Sequence, residues 1–457
     1  MRIPGLFFLL VILSSWYRAG DPAEPAALFP VYEKGQYGFV NEKGRMWIKP
    51  RFQQVGPFRN GLAPVRENTH FGYINTQGQY AIEPQFDEAM PFSKAYAAVW
   101  KQGRKYLIDR AGEIQFDHQY RDWRRADRED LLDRLIVTAE DGRQGLIDRR
   151  GKIVLEAVYD RISPFSEGMT TVARKTIGAS GEAKTEVAAF NLEGEIVVSF
   201  GRFDAIGAFK NGYALVSQER RKNGQIRKTT GVINAQGEVQ FLLKDKHIDL
   251  IDSEQMYQEG LAEIAIYTVD RDTLASDDGG EVYAYRGMID PEGKIVFSHP
   301  QVEDITPFEH GRAFAKTAGH SWVLIDRKGK RVGKDYYQNV PDHGFEDGSA
   351  VVSLEEGLGL INTDGQLLLP AVDLNTTYYQ RVGDVVFYEV ELLEKKDKTY
   401  VRRWGFWDLQ TGYVQPPDFD KVDVENGFQQ SLVQVEEDGR QGYVSRDGKY
   451  VWRAARR

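Results

Sequence analysis

The densest run of chemistry-bearing side chains is Glu219-Arg220-Arg221-Lys222-Asn223-Gly224, continued by Arg227-Lys228, and a second basic stretch runs from Lys395 to Arg403. Clustered guanidinium and ammonium groups suit an anionic partner such as a cell-envelope polymer or phospholipid headgroups. Asn223-Gly224 between alternating runs places the first cluster at a hairpin tip, where charge also blunts an exposed sheet edge. Both readings stand, and Arg220, Arg221 and Lys222 are the cationic binding candidates. Trp100 and Trp123 fall outside the regular aromatic positions of the chain. They are the candidates for a stacking platform that a glycan would use, with packing in the core as the alternative.

Other chemistry is missing by residue type or by spacing. The chain has no cysteine, which removes disulfides, zinc fingers and thiol nucleophiles together. Gly178-Ala179-Ser180-Gly181 fails the spacing of a Gly-x-Ser-x-Gly elbow, and Gly151-Lys152 and Gly293-Lys294 are not followed by the Ser or Thr of a phosphate loop. The 7 histidines are scattered, and His310 and His320 fall in neighbouring strand-like segments where surface positions are expected rather than metal ligation. Asp270-Arg271-Asp272 to Glu281 resembles a calcium loop superficially but puts Leu274 and Ala275 where an oxygen ligand and the turn glycine belong. With 68 Asp and Glu, a spatially paired set of carboxylates for glycoside hydrolysis remains open, with no pair singled out. The chain therefore reads as a non-enzyme with no catalytic residue, metal or cofactor nominated.

The elements that must carry these side chains are announced by a repeat. Gly38-Phe39-Val40-Asn41-Glu42-Lys43-Gly44 recurs as Gly72-Tyr73-Ile74-Asn75-Thr76-Gln77-Gly78 and, with drift, about eleven times down to Gly442-Tyr443-Val444 and Gly448. Each copy continues into an apolar alternation ending in Pro and Phe (Met46 to Phe52; Tyr80 to Phe86), a Pro-Phe pair (Pro57-Phe58; Pro91-Phe92) and a small-residue strand (Gly61 to Val65; Ala95 to Val99). Period-2 alternation between Gly, Pro, Asn and Asp clusters reads as three short strands per unit. Asn41, Asn75, Asp148 and their equivalents should start turns through a side-chain oxygen, and Gly44, Gly78 and Gly151 should supply the left-handed residue of a G1 bulge.

The extra length of irregular copies falls between the third strand of one unit and the first strand of the next, around Gly178-Ala179, Asn223-Gly224 and Lys395-Lys396. That placement predicts lengthened hairpins, and hence a three-stranded antiparallel meander straddling the sequence repeat. Residues 117 to 134, around Trp123-Arg124-Arg125, read as a charged helix or long loop, and Thr268 to Glu281 as an acidic loop.

At 457 residues a single compact core would be overgrown, but a repeat array lengthens without thickening its core. The expected fold is all-β: tandem three-stranded meanders forming an open superhelical array or propeller-like ring or rings. Because eleven units exceed the usual 4 to 8 blades of one propeller, an open superhelix or two successive rings is the favoured arrangement. The charged end Arg453 to Arg457 would then give polar cover to a terminal unit. A net charge of −9, spread along the chain, argues against nucleic-acid binding.

Met1-Arg2 and the apolar run Leu6 to Leu13 have the layout of a secretory signal. Residues 1–27 are assigned to an export segment, its cleavage left open, and residues 28–457 to the repeat array, with no membrane-spanning run beyond the first segment. The expected location is the periplasm, the cell surface or the exterior.

Tyr37-Gly38-Phe39-Val40-Asn41, Trp404-Gly405-Phe406-Trp407-Asp408 and Pro57-Phe58-Arg59-Asn60-Gly61-Leu62-Ala63 give the unit its closest likeness: it resembles the WG repeat family of bacterial proteins. The resemblance runs from about residue 31 to 453, with degenerate copies near Phe190 and Trp322 that should pack less regularly. It implies an all-β repeat protein, often exported, that binds partners and carries no catalytic residue. A scaffold for protein or envelope-polymer partners is thus the expected function, with glycan binding and a carboxylate-based hydrolase as the alternatives.

Overall fold

In the computed structural model each Gly-aromatic-aliphatic-Asn phrase is a strand running into a tight turn. Asn41 Oδ1 accepts hydrogen bonds from the amides of Lys43 (3.1 Å) and Arg45 (2.9 Å), while the Gly44 amide donates to the Asn41 carbonyl (2.9 Å). Gly44 has φ of 72°, the left-handed conformation that favours glycine. The strand glycine has a different reason. A Cβ on Gly38 would lie 2.5 Å from the Ile48 carbonyl oxygen and 2.6 Å from Pro50 N, because the partner strand bulges against it.

The structure describes residues 27–455 apart from 116–119, 127–133, 178–180, 223–224, 244–246, 252–256, 268–283, 320, 373–375, 377 and 395–398. Residues 1–26 of the 1–27 stretch expected to be an export segment, His320, the acidic loop and the hairpin tips Gly178–Ser180, Asn223-Gly224 and Lys395–Lys398 therefore lie outside it.

Among the described residues forty strands form eleven antiparallel sheets, seven of four strands and four of three. The expected offset is present: in the second sheet Leu62–Glu67 closes one sequence unit, and His70–Asn75 and Tyr80–Phe86 open the next. A fourth strand of only two residues, Gln54–Val55, precedes them. It has too few residues to show an alternation, which is why the sequence predicts three. We number the sheets as blades: 28–52, 54–86, 88–109, 122–159, 161–198, 205–242, 248–298, 302–326, 349–372, 378–419 and 421–453.

Between the short first strand and the second strand of a blade lies an anchor loop. In blade 2 it is Pro57-Phe58 followed by a two-residue turn, with Asn60 and Gly61 at φ of 51° and 79° and reciprocal bonds between Arg59 and Leu62. Both positive φ values identify a type I′ turn, whose twist matches that of the strands it joins. Phe58 stacks edge-on against Phe39 of blade 1, with centroids 4.9 Å apart, and Phe92 does the same to Tyr73 of blade 2 at 4.8 Å. Each aromatic anchor thus reaches back to the preceding blade and contributes a large buried area at the seam.

Eleven hydrophobic clusters connect the eleven blades, one at each seam. The last of them joins the two ends of the array: Phe29, Val31 and Val40 of blade 1 pack on Leu432 and Tyr443 of blade 11. Tyr443 Oη also donates to the Pro30 carbonyl at 2.8 Å. The molecule is therefore one closed, propeller-like ring of eleven blades, not the open superhelix or pair of rings favoured by blade-count precedent. A closed ring has no terminal unit needing polar cover, and Arg453 is instead paired with Glu437.

Two further expectations change. Asp122–Arg125 is a strand, not part of a helix, and pairs with Leu135 to Thr138; the neighbouring residues 127–133 lie outside the description. Of the two degenerate copies, the one at Phe190 keeps the regular hairpin and bulge, while the one at Trp322 loses its second strand to isolated bridges. The lengthened hairpins are present as arms: Met169–Ile177 with Ala183–Asn191, Tyr213–Lys222 with Gln225–Asn234, and Val385–Glu394 with Thr399–Asp408. All three leave the ends of the blades opposite the Asn-x-x-Gly turns, because they replace the same short turn that joins Glu67 to His70 in blade 2.

Candidate functional site

In every blade the strand that pairs with the Gly-aromatic strand has one residue facing the position two places before the turn residue on that partner. Ala98 faces Leu107, Glu263 faces Met288 and Val351 faces Leu360 there. This position lines the cavities at the seams: Ala98, Glu263, Val351 and Gln434 each border one. In the other blades it holds Pro30, Pro64, Ile136, Thr171, Leu215, Phe314 and Phe387. Glu263 is the one ionisable residue in the series.

A cavity of about 900 Å³ spans blades 2 to 4. Five cations border it, Arg59, Lys94, Lys105, Arg124 and Arg125, together with Phe58, Met90, Trp100 and Trp123, and no carboxylate is among its lining residues. Lys105 is the centre of the arrangement. Its Nζ lies 4.4 Å from the Trp123 ring and 5.5 Å from the Trp100 ring, donates to the Trp123 carbonyl at 2.8 Å and sits 3.8 Å from Asp122. Burial lowers its pKa, against the pull of Asp122. Arg124 is tied to the Ile162 carbonyl of blade 5. Arg59 and Lys94, by contrast, are exposed at anchor-loop turns.

Trp123 is not an exposed platform. It is 2% exposed, and its Nε1 donates to the Lys105 carbonyl at 3.1 Å. It is a wall that holds Lys105 by cation–π attraction, whereas Trp100 is half-buried on the cleft. The basic-run candidates stand elsewhere: Arg220, Arg221 and Lys222 are on the blade 6 arm, paired with Arg227, Ile226 and Gln225. Arg220 is exposed, and the side chains of Arg221 and Lys222 are outside the described set. Structure thus brings Trp123 to a cationic site, but with Arg59, Lys94, Lys105, Arg124 and Arg125 in place of the arm residues. These five are dispersed over 67 positions of sequence, so no local run could reveal them.

A second cavity, about 390 Å³, lies at blades 7 to 9 and is bordered by Glu263, Asp304, Thr306, Trp322, Asp342 and His343. Glu263 is largely buried, with Arg286 Nε 3.4 Å from its Oε1 and no hydrogen bond to that atom. Burial pushes its carboxyl up from 4.5 to about 7, further than Arg286 pulls it down. Among the described residues, no three His, Asp or Glu side chains are grouped to hold a metal ion.

Five stretches of the chain, residues 37–68, 71–106, 145–174, 189–220 and 287–319, match the family described as WG containing repeat. The chain carries WG-containing repeats at these five positions. The matched WG stretches run through the blade 1 to blade 8 portion of the ring, and the first of them contains the strand glycine Gly38 and the Asn41 turn. No curated protein matches the chain. Among solved structures it is similar to the tricorn protease, at 10% identity and a TM-score of 0.28, over 92% of this chain and 48% of that one. It is also similar to BamB from Moraxella catarrhalis, at 10% identity and 0.27 over 66% and 90% of the two chains. Kuenenia stuttgartiensis hydrazine synthase gives 12% and 0.26 over 60% and 93%. The WG-repeat chain spans about half the length of the tricorn protease chain, and none of the three superposes closely on it.

Proposed function

We propose that this WG-repeat ring is an exported, non-catalytic scaffold whose basic cleft takes an acidic segment of a partner protein. The observation that carries the reading is the convergence of five cations, with no carboxylate among the lining residues, around one large cavity in a chain of net charge −9. Two of these cations are exposed at rim turns, suited to steering an acidic partner. The aromatic and methionine side chains beneath them offer apolar contact. Repeat rings present such surfaces without needing a reactive residue.

The test is a titration of the chain with a fluorescent oligo-glutamate peptide at low and high salt. Binding should be saturable, weaken with salt, and fall about tenfold or more in the Arg59→Glu, Lys94→Glu double variant, a change of about 1.4 kcal/mol. Equal binding by the double variant would set the proposal aside. Glycan binding is the second reading, and the half-buried Trp100 ring on the cleft favours it. On that reading Trp100→Ala would abolish glycan retention while the double charge variant would spare it.

A further inference from the structure

The cavity of blades 7 to 9 carries its negative charge at two depths. Leu261, Met288 and Ile305 form its buried apolar part, and Glu263 stands on the same wall with its Oε1 closed off from solvent and accepting no hydrogen bond. Arg286, the cation beside that oxygen, gives its Nε hydrogen to the Glu303 carbonyl at 3.1 Å instead. Asp304 and Asp342 are exposed, as is His343, while Trp322 is half-buried on the wall. No lysine or arginine is among the lining residues. Lys316, paired across the strands with Asp304 and Trp322, is not one of them either.

These features together select a class of ligand. A buried carboxyl that no donor satisfies is costly, and a group bringing both N–H and positive charge regains the most. A metal ion does not suit the site, because no three His, Asp or Glu side chains are grouped to hold one among the described residues. An alkylammonium does: it presents three donors on a flexible apolar stem, the stem matches Leu261, Met288 and Ile305, and an indole face attracts the charge. The chain already keeps one ammonium in such company, Lys105 Nζ lying 4.4 Å from the Trp123 ring and 3.8 Å from Asp122. The volume of about 390 Å³ falls within the range of small-ligand sites.

We propose that this cavity binds an aliphatic dication, with one ammonium at Glu263 and the second cation at Asp304 and Asp342. Two sources carry that chemistry, a free diamine and a lysine side chain followed by a second basic residue. The cavity shares no lining residue with the basic cleft, and the proposal stands or falls apart from the scaffold reading.

The probes are 1,5-diaminopentane, butylammonium and the dipeptide acetyl-Lys-Lys-amide, each titrated calorimetrically into the full chain. The diamine or the dipeptide should bind saturably and more tightly than butylammonium, and the tighter of the two names the source. Glu263→Gln should weaken that ligand at least about tenfold. Asp342→Asn should weaken it about threefold, the size of an exposed ion pair, and leave butylammonium unchanged. Burial holds the Glu263 proton up to about pH 7, with Asp304 adding to the effect and Arg286 opposing it. An incoming ammonium must expel that proton, so affinity should rise at least about tenfold from about pH 5.5 to 8, and Glu263→Gln should remove the rise. No saturable binding of either dication up to about 1 mM would overturn the proposal. Undiminished binding by Glu263→Gln, or a pH rise that persists in it and so belongs to His343, would overturn it as well.

Discussion

The basic cleft of blades 2 to 4 and the acidic cleft of blades 7 to 9 are built on the same register position of the same repeat, yet their chemistry is opposite. Ala98 borders the first and Glu263 the second, each facing the residue two places before its turn. The glycines, Asx turns and anchor aromatics of the repeat fix backbone and seam; the residues that border a cavity answer to none of those demands. Charge at the clefts is therefore free to diverge while the blades do not. The comparison also shows where ionisation is costly. Lys105 is held between two indoles and near Asp122, while Glu263 has one cation at 3.4 Å and little solvent.

The largest expected effect follows from that cost. The folded chain keeps the Glu263 proton up to about pH 7, whereas the unfolded chain releases it near 4.5. Between these values the folded state binds more protons, so stability is fully present below about 4.5 and is lost as pH rises through 7. A shift of this size corresponds to about 3 kcal/mol. Glu263→Gln should therefore flatten the stability curve, with the variant gaining on the parent by up to that amount between pH 5 and 8 in denaturant titrations. Parallel curves for the two proteins would break the contrast between the clefts.

A smaller effect sharpens it. Ala98→Glu places a carboxyl at the same register position, but beside Lys105 and Arg125 rather than alone. Its pKa should stay at or below the ordinary carboxylate range, because nearby cations favour the charged form. Stability of this variant should then show no added loss from pH 4.5 to 7, and binding of an acidic peptide should fall about tenfold, or roughly 1.4 kcal/mol. A loss of stability with rising pH like that of Glu263 would mean that register position, and not surroundings, sets the ionisation.

The blades themselves were readable in the sequence because their determinants are local. Asn41 to Gly44 encodes a turn within four residues, and Asn223-Gly224 between alternating runs marks an arm whose strands are now seen to be ten residues each. The short first strand was not readable, since Gln54–Val55 owes its pairing to Val65 and Arg66 and not to its own pattern. Ring closure was hidden for another reason: Phe29 and Tyr443 are 414 positions apart, and nothing near either one announces the other. The basic cleft was half visible. Trp123 was singled out for breaking the aromatic pattern, but its burial under Lys105 depends on blade 3 meeting blade 4. Glu263 is the lone charge at the position facing the residue two places before each turn, a signal available only once the register is known.

The closing seam offers the smallest and most local comparison. Tyr73 and Tyr443 hold equivalent positions, and each donates its hydroxyl to a backbone carbonyl, that of Met90 at 2.7 Å and that of Pro30 at 2.8 Å. Burial pushes both phenols upward in pKa, so both remain hydrogen-bond donors throughout the neutral range. Removing either hydroxyl leaves a carbonyl without its partner and should cost about 1 kcal/mol. The two changes should differ in where that cost is felt. Tyr73→Phe loosens a seam bridged by a covalent chain crossing from Phe86 to Glu88, whereas Tyr443→Phe loosens the seam between the first and last blades. Amide exchange should therefore quicken in blades 1 and 11 of the second variant while the first shows a change confined to blades 2 and 3. Equal exchange at both seams would mean that packing alone, without covalent linkage, holds every blade equally well.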